Sequence, residues 1–159
     1  MRARERLDNI AGKICEAALP IRKEYVVGRG TSVAICTLSS IELLERISQM
    51  PAVMDRIAVV GRLLSENRGI DVIMKFAIDH PSLERILLCG MEVRGHLAGQ
   101  ALLSVAKNGI DETGKIIGAI GPYPKLRSSP KEIARFRDRI KIVDYIGLTD
   151  ADKVADLIT

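Results

Sequence analysis

Leu87-Leu88-Cys89-Gly90-Met91-Glu92-Val93-Arg94-Gly95-His96-Leu97-Ala98-Gly99-Gln100 decides how this chain folds. With Ile86 ahead of it, the stretch opens as an apolar run without polar alternation, which suits a strand covered on both faces. A glycine-bearing loop follows, and a helical pattern starts near Gly95 or His96 and continues to Lys107. Strand, glycine loop and helix in that order form the repeating unit of a parallel sheet with right-handed crossovers. In such sheets ligands sit beyond the carboxyl ends of the strands, so the loop after Cys89 lies at the expected ligand end.

Moving outward, the same unit recurs. Short apolar runs at 33–38, 57–60, 116–120 and 142–146 read as further strands. Ser39 and Ser40 offer an N-cap to a helix whose inward face is Leu43, Leu44 and Ile47. Ile70, Ile73, Met74 and Ala77 mark a helix that ends at Pro81, and helical patterns follow at 131–139 and 150–158. At the start of the chain, Leu7, Ile10, Ile14 and Ala17 share one face of an amphipathic pattern over 2–18, closed by Pro20. The expected fold class is α/β: a Rossmann-like three-layer sandwich with a mainly parallel sheet of about five strands. One domain over 21–159 is preceded by a basic helix over 1–20.

Composition sets the outer bounds. A chain of 159 residues suits one compact domain. Its 47% hydrophobic content and net charge of +4 exclude disorder. The charged residues are spread too evenly to leave the roughly 20 apolar residues that a membrane span requires. Cys15, Cys36 and Cys89 are odd in number and far apart, which fits a reducing cytoplasm and no disulfide framework. With no Trp, two Phe and three Tyr, few rings are present to stack bases, which disfavours nucleic acid as a partner.

Several motifs are missing. The string Gly28-Arg29-Gly30 has Val33 where a dinucleotide fingerprint needs its third glycine, and it precedes a strand. No P-loop and no G-x-S-x-G elbow occur. His80, before Pro81, reads as a helix C-cap. A zinc site from His96, Cys89 and Cys36 would want a fourth ligand. Over 125–141, seven basic side chains face two acidic ones, a local excess of five where the whole chain carries four. That stretch is either a solvated helix face or a docking face for an acidic partner or a phosphate.

The loop after Cys89 holds the richest chemistry. Gly90, Gly95 and Gly99 keep side chains out of the way where a large flat ligand could approach the backbone. His96, placed in the first helical turn, would be held neutral by the helix dipole, the form that ligates a transition metal. Glu92, four residues upstream, could accept a hydrogen bond from its other ring nitrogen, or could face solvent. Gln100 shares a helical face with His96. The plain alternative is that His96 is an ordinary polar residue at a helix start.

Gly90-x-Glu92-Val93-x-Gly95-His96-x-x-Gly99-Gln100 is followed by Asn108-Gly109-x-Asp111 and Ile116-Ile117-Gly118-Ala119-x-Gly121-x-x-Pro124. Arg135-Phe136 and Ile142-Val143-Asp144 complete the series, and Glu66-Asn67-x-Gly69-Ile70 lies upstream. Together these strings resemble the MtrA family, the corrinoid-carrying A-subunit of tetrahydromethanopterin S-methyltransferase, a membrane complex of methanogenic archaea. The resemblance implies a Rossmann-like domain holding a cobamide (cobalamin or 5-hydroxybenzimidazolylcobamide). It makes the histidine matching His96 the lower axial ligand of cobalt. It implies a methyl group carried on cobalt between partner methyltransferase subunits, with no catalytic residue on the chain itself. Around the corrin it points to Gly90, Gly95, Gly99 and Gly121 for space, and to Glu92, Gln100 and Thr37 as polar contacts. The expectation is an anchor-less, soluble, cytoplasmic carrier with no transmembrane segment. Two competitors stand beside it: a cofactor-less binding or regulatory module of the same fold, and a nucleotide- or nucleic-acid-binding protein resting on the basic segment alone.

Overall fold

The structure, a computed structural model, describes residues 24–158. The helix expected over 2–18, and with it the boundary near residue 20, lies outside the described residues. The elements in chain order are β1 (Tyr25–Val27), β2 (Val33–Cys36), α1 (Ile41–Ser48), α2 (Pro51–Met54), β3 (Val59–Gly61), α3 (Arg68–Asp79), β4 (Arg85–Gly90), α4 (Ala98–Asn108), α5 (Pro130–Arg139), β5 (Lys141–Ile146) and α6 (Ala151–Asp156).

The five strands form one sheet in the order β1-β3-β2-β4-β5. β2, β3, β4 and β5 run parallel, and β1 is antiparallel at the edge. The α/β class and the mainly parallel five-stranded sheet are therefore as expected. Among themselves the parallel strands run second, first, third, fourth. That is the flavodoxin-type doubly wound order and not the 3-2-1-4 of the dinucleotide-binding one.

The central strands lack polar alternation because they feed two cores. Ala34 and Cys36 of β2 and Ile86 and Leu88 of β4 face α3, α4 and α5, where Ile70, Met74, Leu102 and Phe136 are buried. Val33 and Ile35 of β2 and Leu87 and Cys89 of β4 face α1, α2 and α6, where Leu44, Ile47, Val53 and Val154 are buried. Successive strand side chains point to opposite faces, so a strand wet on neither face is apolar at every position.

Two readings need correction. The run 116–120 is not a strand: it makes a single isolated bridge, Ile116 with Ile110. Gly118 turns it with φ +85°, and prolines follow at 122 and 124. The fifth strand is instead β1, so Gly28-Arg29-Gly30 follows one strand as well as preceding another. A Cβ on Gly28 would lie 2.1 Å from the Ile57 carbonyl oxygen, and one on Gly30 would lie 2.2 Å from the Arg56 carbonyl carbon. These glycines let two backbone segments cross.

Both described cysteines are free and buried, and burial pushes each thiol up to about 12. At pH 8 on the order of one such thiol in ten thousand is ionised. A disulfide reagent at pH 8 is expected to leave Cys36 and Cys89 unmodified in the folded protein and to label both in denaturant. Peptide mass spectrometry reads the result, and rapid labelling of either in native protein would contradict its placement.

Candidate functional site

The crossovers from β2 and β4 leave to opposite faces of the sheet, which opens the switch point between the carboxyl ends of these two strands. The loops leaving β2 and β4 are stitched together there. The Ser39 hydroxyl donates to the Met91 carbonyl at 2.7 Å, and the Met91 N–H donates to the Ser40 hydroxyl at 2.8 Å. Ser40 is the N-cap of α1 by position, but its side chain makes no capping bond because it is used across the switch point. Gly90 sits at φ +80°, and a Cβ there would be 2.1 Å from the Thr37 carbonyl oxygen. Thr37 is fully buried, with its N–H on the Gly61 carbonyl. It shapes the loop from within.

After Gly90 the chain does not enter a helix at His96. Gly95 (φ +81°) and Leu97 (φ +50°) both take the left-handed region, and α4 starts only at Ala98. Leu97 offers α4 no capping side chain, and Glu92 supplies that function. Its carboxylate accepts from the N–H groups of Val93 (2.8 Å), Gly99 (2.9 Å) and Gln100 (2.9 Å). A carboxylate at a helix N-terminus satisfies orphan donors and complements the dipole. A Cβ on Gly99 would lie 2.8 Å from that carboxylate, so Gly99 makes room for Glu92. Glu92 is therefore not the acceptor for the histidine ring.

That acceptor is Glu66, in the loop after β3. His96 Nδ1 lies 2.8 Å from Glu66 Oε2, and the Tyr123 N–H donates to Glu66 Oε1 at 2.9 Å. The Glu66 side chain is 1% exposed and that of His96 is 49% exposed. Burial pushes the Glu66 carboxyl up, but the N–H groups of its own residue and of Tyr123, together with the His96 ring, outweigh this and hold it below its ordinary value. A carboxylate can only accept, so Nδ1 carries a proton. In the neutral ring Nε2 is then a free lone pair on the half-exposed side. This is the carboxylate–histidine arrangement that orients a metal-ligating imidazole.

Gly121 and Gln100 act on the loop that packs against this pair. A Cβ on Gly121 would sit 2.3 Å from the His96 carbonyl oxygen, so this glycine lets the 116–124 loop close on the ring's backbone. Gln100 holds the same loop, donating to the Gly118 carbonyl (2.8 Å) and accepting from the Ile120 N–H (3.0 Å). Gln100 thus supports the site and does not face it. Gly95 would carry a Cβ with nothing within 4 Å, which leaves open space beside His96. Ile120 (72% exposed), Tyr123 (70%) and Met91 give the same loops an exposed apolar character. Two cavities of about 480 and 500 Å³ lie elsewhere, and His96 lines neither.

The remaining candidates are structural. Cys89 Sγ points at the Cys36 carbonyl, and no cluster of three or more His, Cys, Asp or Glu side chains suited to a metal ion occurs among the described residues. His80 caps its own helix, with Nδ1 on the Phe76 carbonyl at 2.8 Å and its ring stacked on Phe76. In the basic segment, Arg137 donates to the Ala106 and Lys107 carbonyls at the end of α4, and Arg139 to those of Ala77, His80 and Pro81 at the end of α3. These two cations serve helix C-termini, while Lys125, Lys131 and Arg135 are exposed. No described helix is long and apolar enough to cross a membrane.

Sequence alone does not single out Glu66 as a site residue. Its signal is positional: a carboxylate just beyond β3, at the same carboxyl edge as the histidine loop.

Comparison with known proteins bears on this geometry. The MtrA family, described as the A-subunit of tetrahydromethanopterin S-methyltransferase, matches residues 13–159. The second form of that A-subunit in Methanothermobacter thermautotrophicus is 39% identical over 135 residues, covering 83% of this chain and 70% of that one. The A-subunit of the same enzyme in Methanocaldococcus jannaschii is 38% identical over 138 residues, covering 85% and 55%. A Methanosarcina barkeri protein, provisionally named as the A-subunit of a methyltransferase Mtx, is 35% identical over 148 residues, covering 92% and 71%.

Proposed function

The chain belongs to the MtrA family of tetrahydromethanopterin S-methyltransferase subunits, and from that membership we propose that it is a corrinoid protein in which His96 would hold the cobalt and which would carry a methyl group between partner methyltransferase subunits. One observation carries the reading: an imidazole anchored through Nδ1 by a buried carboxylate, with Nε2 free on the half-exposed side. The donor set fits such a group. A single neutral nitrogen is too little to hold a bare metal ion, yet it suffices for a metal whose other ligands come from a macrocycle.

When bound, a cobamide supplies a cobalt centre able to accept a methyl group from a nitrogen donor and yield it to a thiolate. The chain supplies position. Glu66 fixes the tautomer and aims the ring. Glu92 ends the loop by capping α4, and Gln100 and Gly121 hold the 116–124 loop against the ring's backbone. The open space at Gly95 and the exposed side chains of Met91, Ile120 and Tyr123 give a flat macrocycle access and apolar contact. Because His96 stands on an open edge, partner subunits would complete the enclosure of the reacting face. The names of the relatives, each given as one subunit of a methyltransferase, support such partners. Lys125, Lys131 and Arg135 offer a positive docking face.

The test is reconstitution of the chain with hydroxocobalamin, removal of free corrinoid, and electron paramagnetic resonance after one-electron reduction. The expected spectrum shows nitrogen superhyperfine splitting that changes from triplets to doublets when the protein's histidine is labelled with 15N. The other histidine of the chain is His80, and a His80→Gln variant is expected to keep the label-sensitive splitting. Failure to retain corrinoid, or splitting indifferent to the label, would overturn the proposal. The first result would favour a cofactor-less module instead.

A further inference from the structure

One face of the sheet is covered by the described helices over β2 and β4 but not fully over β1 and β3. Over β1 and β3, on the α3 side, lies an apolar groove of about 500 Å³. Its floor follows from the register: Tyr25 pairs with Gly61 and Val27 with Val59, while Ala34 pairs with Val59 and Cys36 with Gly61, so these side chains point the same way. Val72, Ile73 and Phe76 of α3 form its wall. Tyr25, Val27 and Val72 are 63–67% exposed. On the opposite face of the same strands Val26 and Val60 are packed into the core with α1 and α2. A doubly wound sheet that is apolar on both faces needs a helix on each.

The chain holds a matching segment. Leu7, Ile10, Ile14 and Ala17 fall on one helical face, and the 11 residues from the first to the last span roughly 16 Å as a helix. That is close to the length of α3, whose 12 residues span roughly 18 Å. The segment also arrives at the right place. It enters the described structure at Glu24, and Glu24 and Tyr25 themselves line the groove. Four residues, 20–23, separate the segment 2–18 and Leu19 from Glu24.

We propose that the groove over β1 and β3 is the docking site of this chain's own amphipathic segment 2–18, which lies alongside α3 and completes the outer helical layer. Its apolar stripe covers Tyr25, Val27 and Val72, and its charged residues face solvent.

Hydrogen exchange of the full chain, read by mass spectrometry without corrinoid, tests this independently of the cobalt assignment. Amides over 7–18 are expected to be protected. Val72→Asp and, separately, Ile14→Asp are expected to cut that protection by at least about tenfold, because each puts a carboxylate into an apolar contact, while β4 and α4 are unchanged. Val72 is exposed in the described structure, so its replacement leaves the rest of the fold intact, and Ile14 lies outside that structure. Unprotected exchange over 7–18 in the wild-type chain, or protection untouched by Val72→Asp, would overturn the proposal. So would a dimer in sedimentation that Val72→Asp converts to monomer, since the groove would then belong to a second copy.

Discussion

Glu66→Gln is expected to weaken corrinoid ligation by about 10–100-fold while leaving the fold intact, the range typical when the partner of a metal-bound histidine is lost. The carboxylate serves two donors at once, the Tyr123 N–H on Oε1 and the His96 ring on Oε2. An amide of the same shape has one oxygen. The Tyr123 N–H is a fixed donor and takes it, which leaves the amide NH2 facing Nδ1. Nδ1 must then accept, the ring proton moves to Nε2, and the lone pair that would reach cobalt is gone. Turning the amide round restores the ring tautomer but sets NH2 against N–H at Tyr123. Titration with hydroxocobalamin, followed by the visible spectrum, measures the loss. Equal affinity in wild type and variant would show that the carboxylate does not set the tautomer.

Gly90→Ala is expected to be the most damaging of the glycine-to-alanine changes among the described residues, since it alone joins a positive φ to a contact as short as 2.1 Å. It places a side chain at φ +80°, a strain of about 1–3 kcal/mol. It also drives Cβ to 2.1 Å from the Thr37 carbonyl, which adds about 1–3 kcal/mol for overpacking. Against a typical domain stability of about 5–15 kcal/mol, the sum removes a large share. Gly95→Ala is the internal comparison. Its φ is nearly the same, but its Cβ meets nothing within 4 Å, so only the strain applies. Urea midpoints at unchanged m-value should therefore fall far more for Gly90→Ala than for Gly95→Ala. Equal losses would mean that the contact with Thr37 relaxes at no cost.

The parallel core was legible because β2, β4 and β5 are apolar where both faces are covered, a pattern that does not depend on knowing the neighbours. β1 was not legible. It has three residues, two of them exposed, and becomes a strand only because β3 pairs with it. The 116–120 run misled in the opposite direction, since its apolar residues mimic a strand while its backbone is bonded to Gln100 and Asn108 side chains. His96 stood out through its motif. Its partner did not, because Glu66 is 30 residues distant and meets the ring only through the sheet. Glu92 looked right at four residues' spacing, but that argument assumes a helix, and two positive φ angles delay the helix to Ala98.

The shared Glu66 carboxylate has one more consequence. Because the imidazole is already immobilised in the free protein, the conformational entropy of freezing it is lost during folding and not again at ligand capture. An interfacial side chain ordered only on association costs about 0.5–1.5 kcal/mol, a factor of roughly two to twelve in affinity. Preorganisation of this kind lets one nitrogen on an open edge compete for a ligand that a freely rotating histidine would hold more weakly.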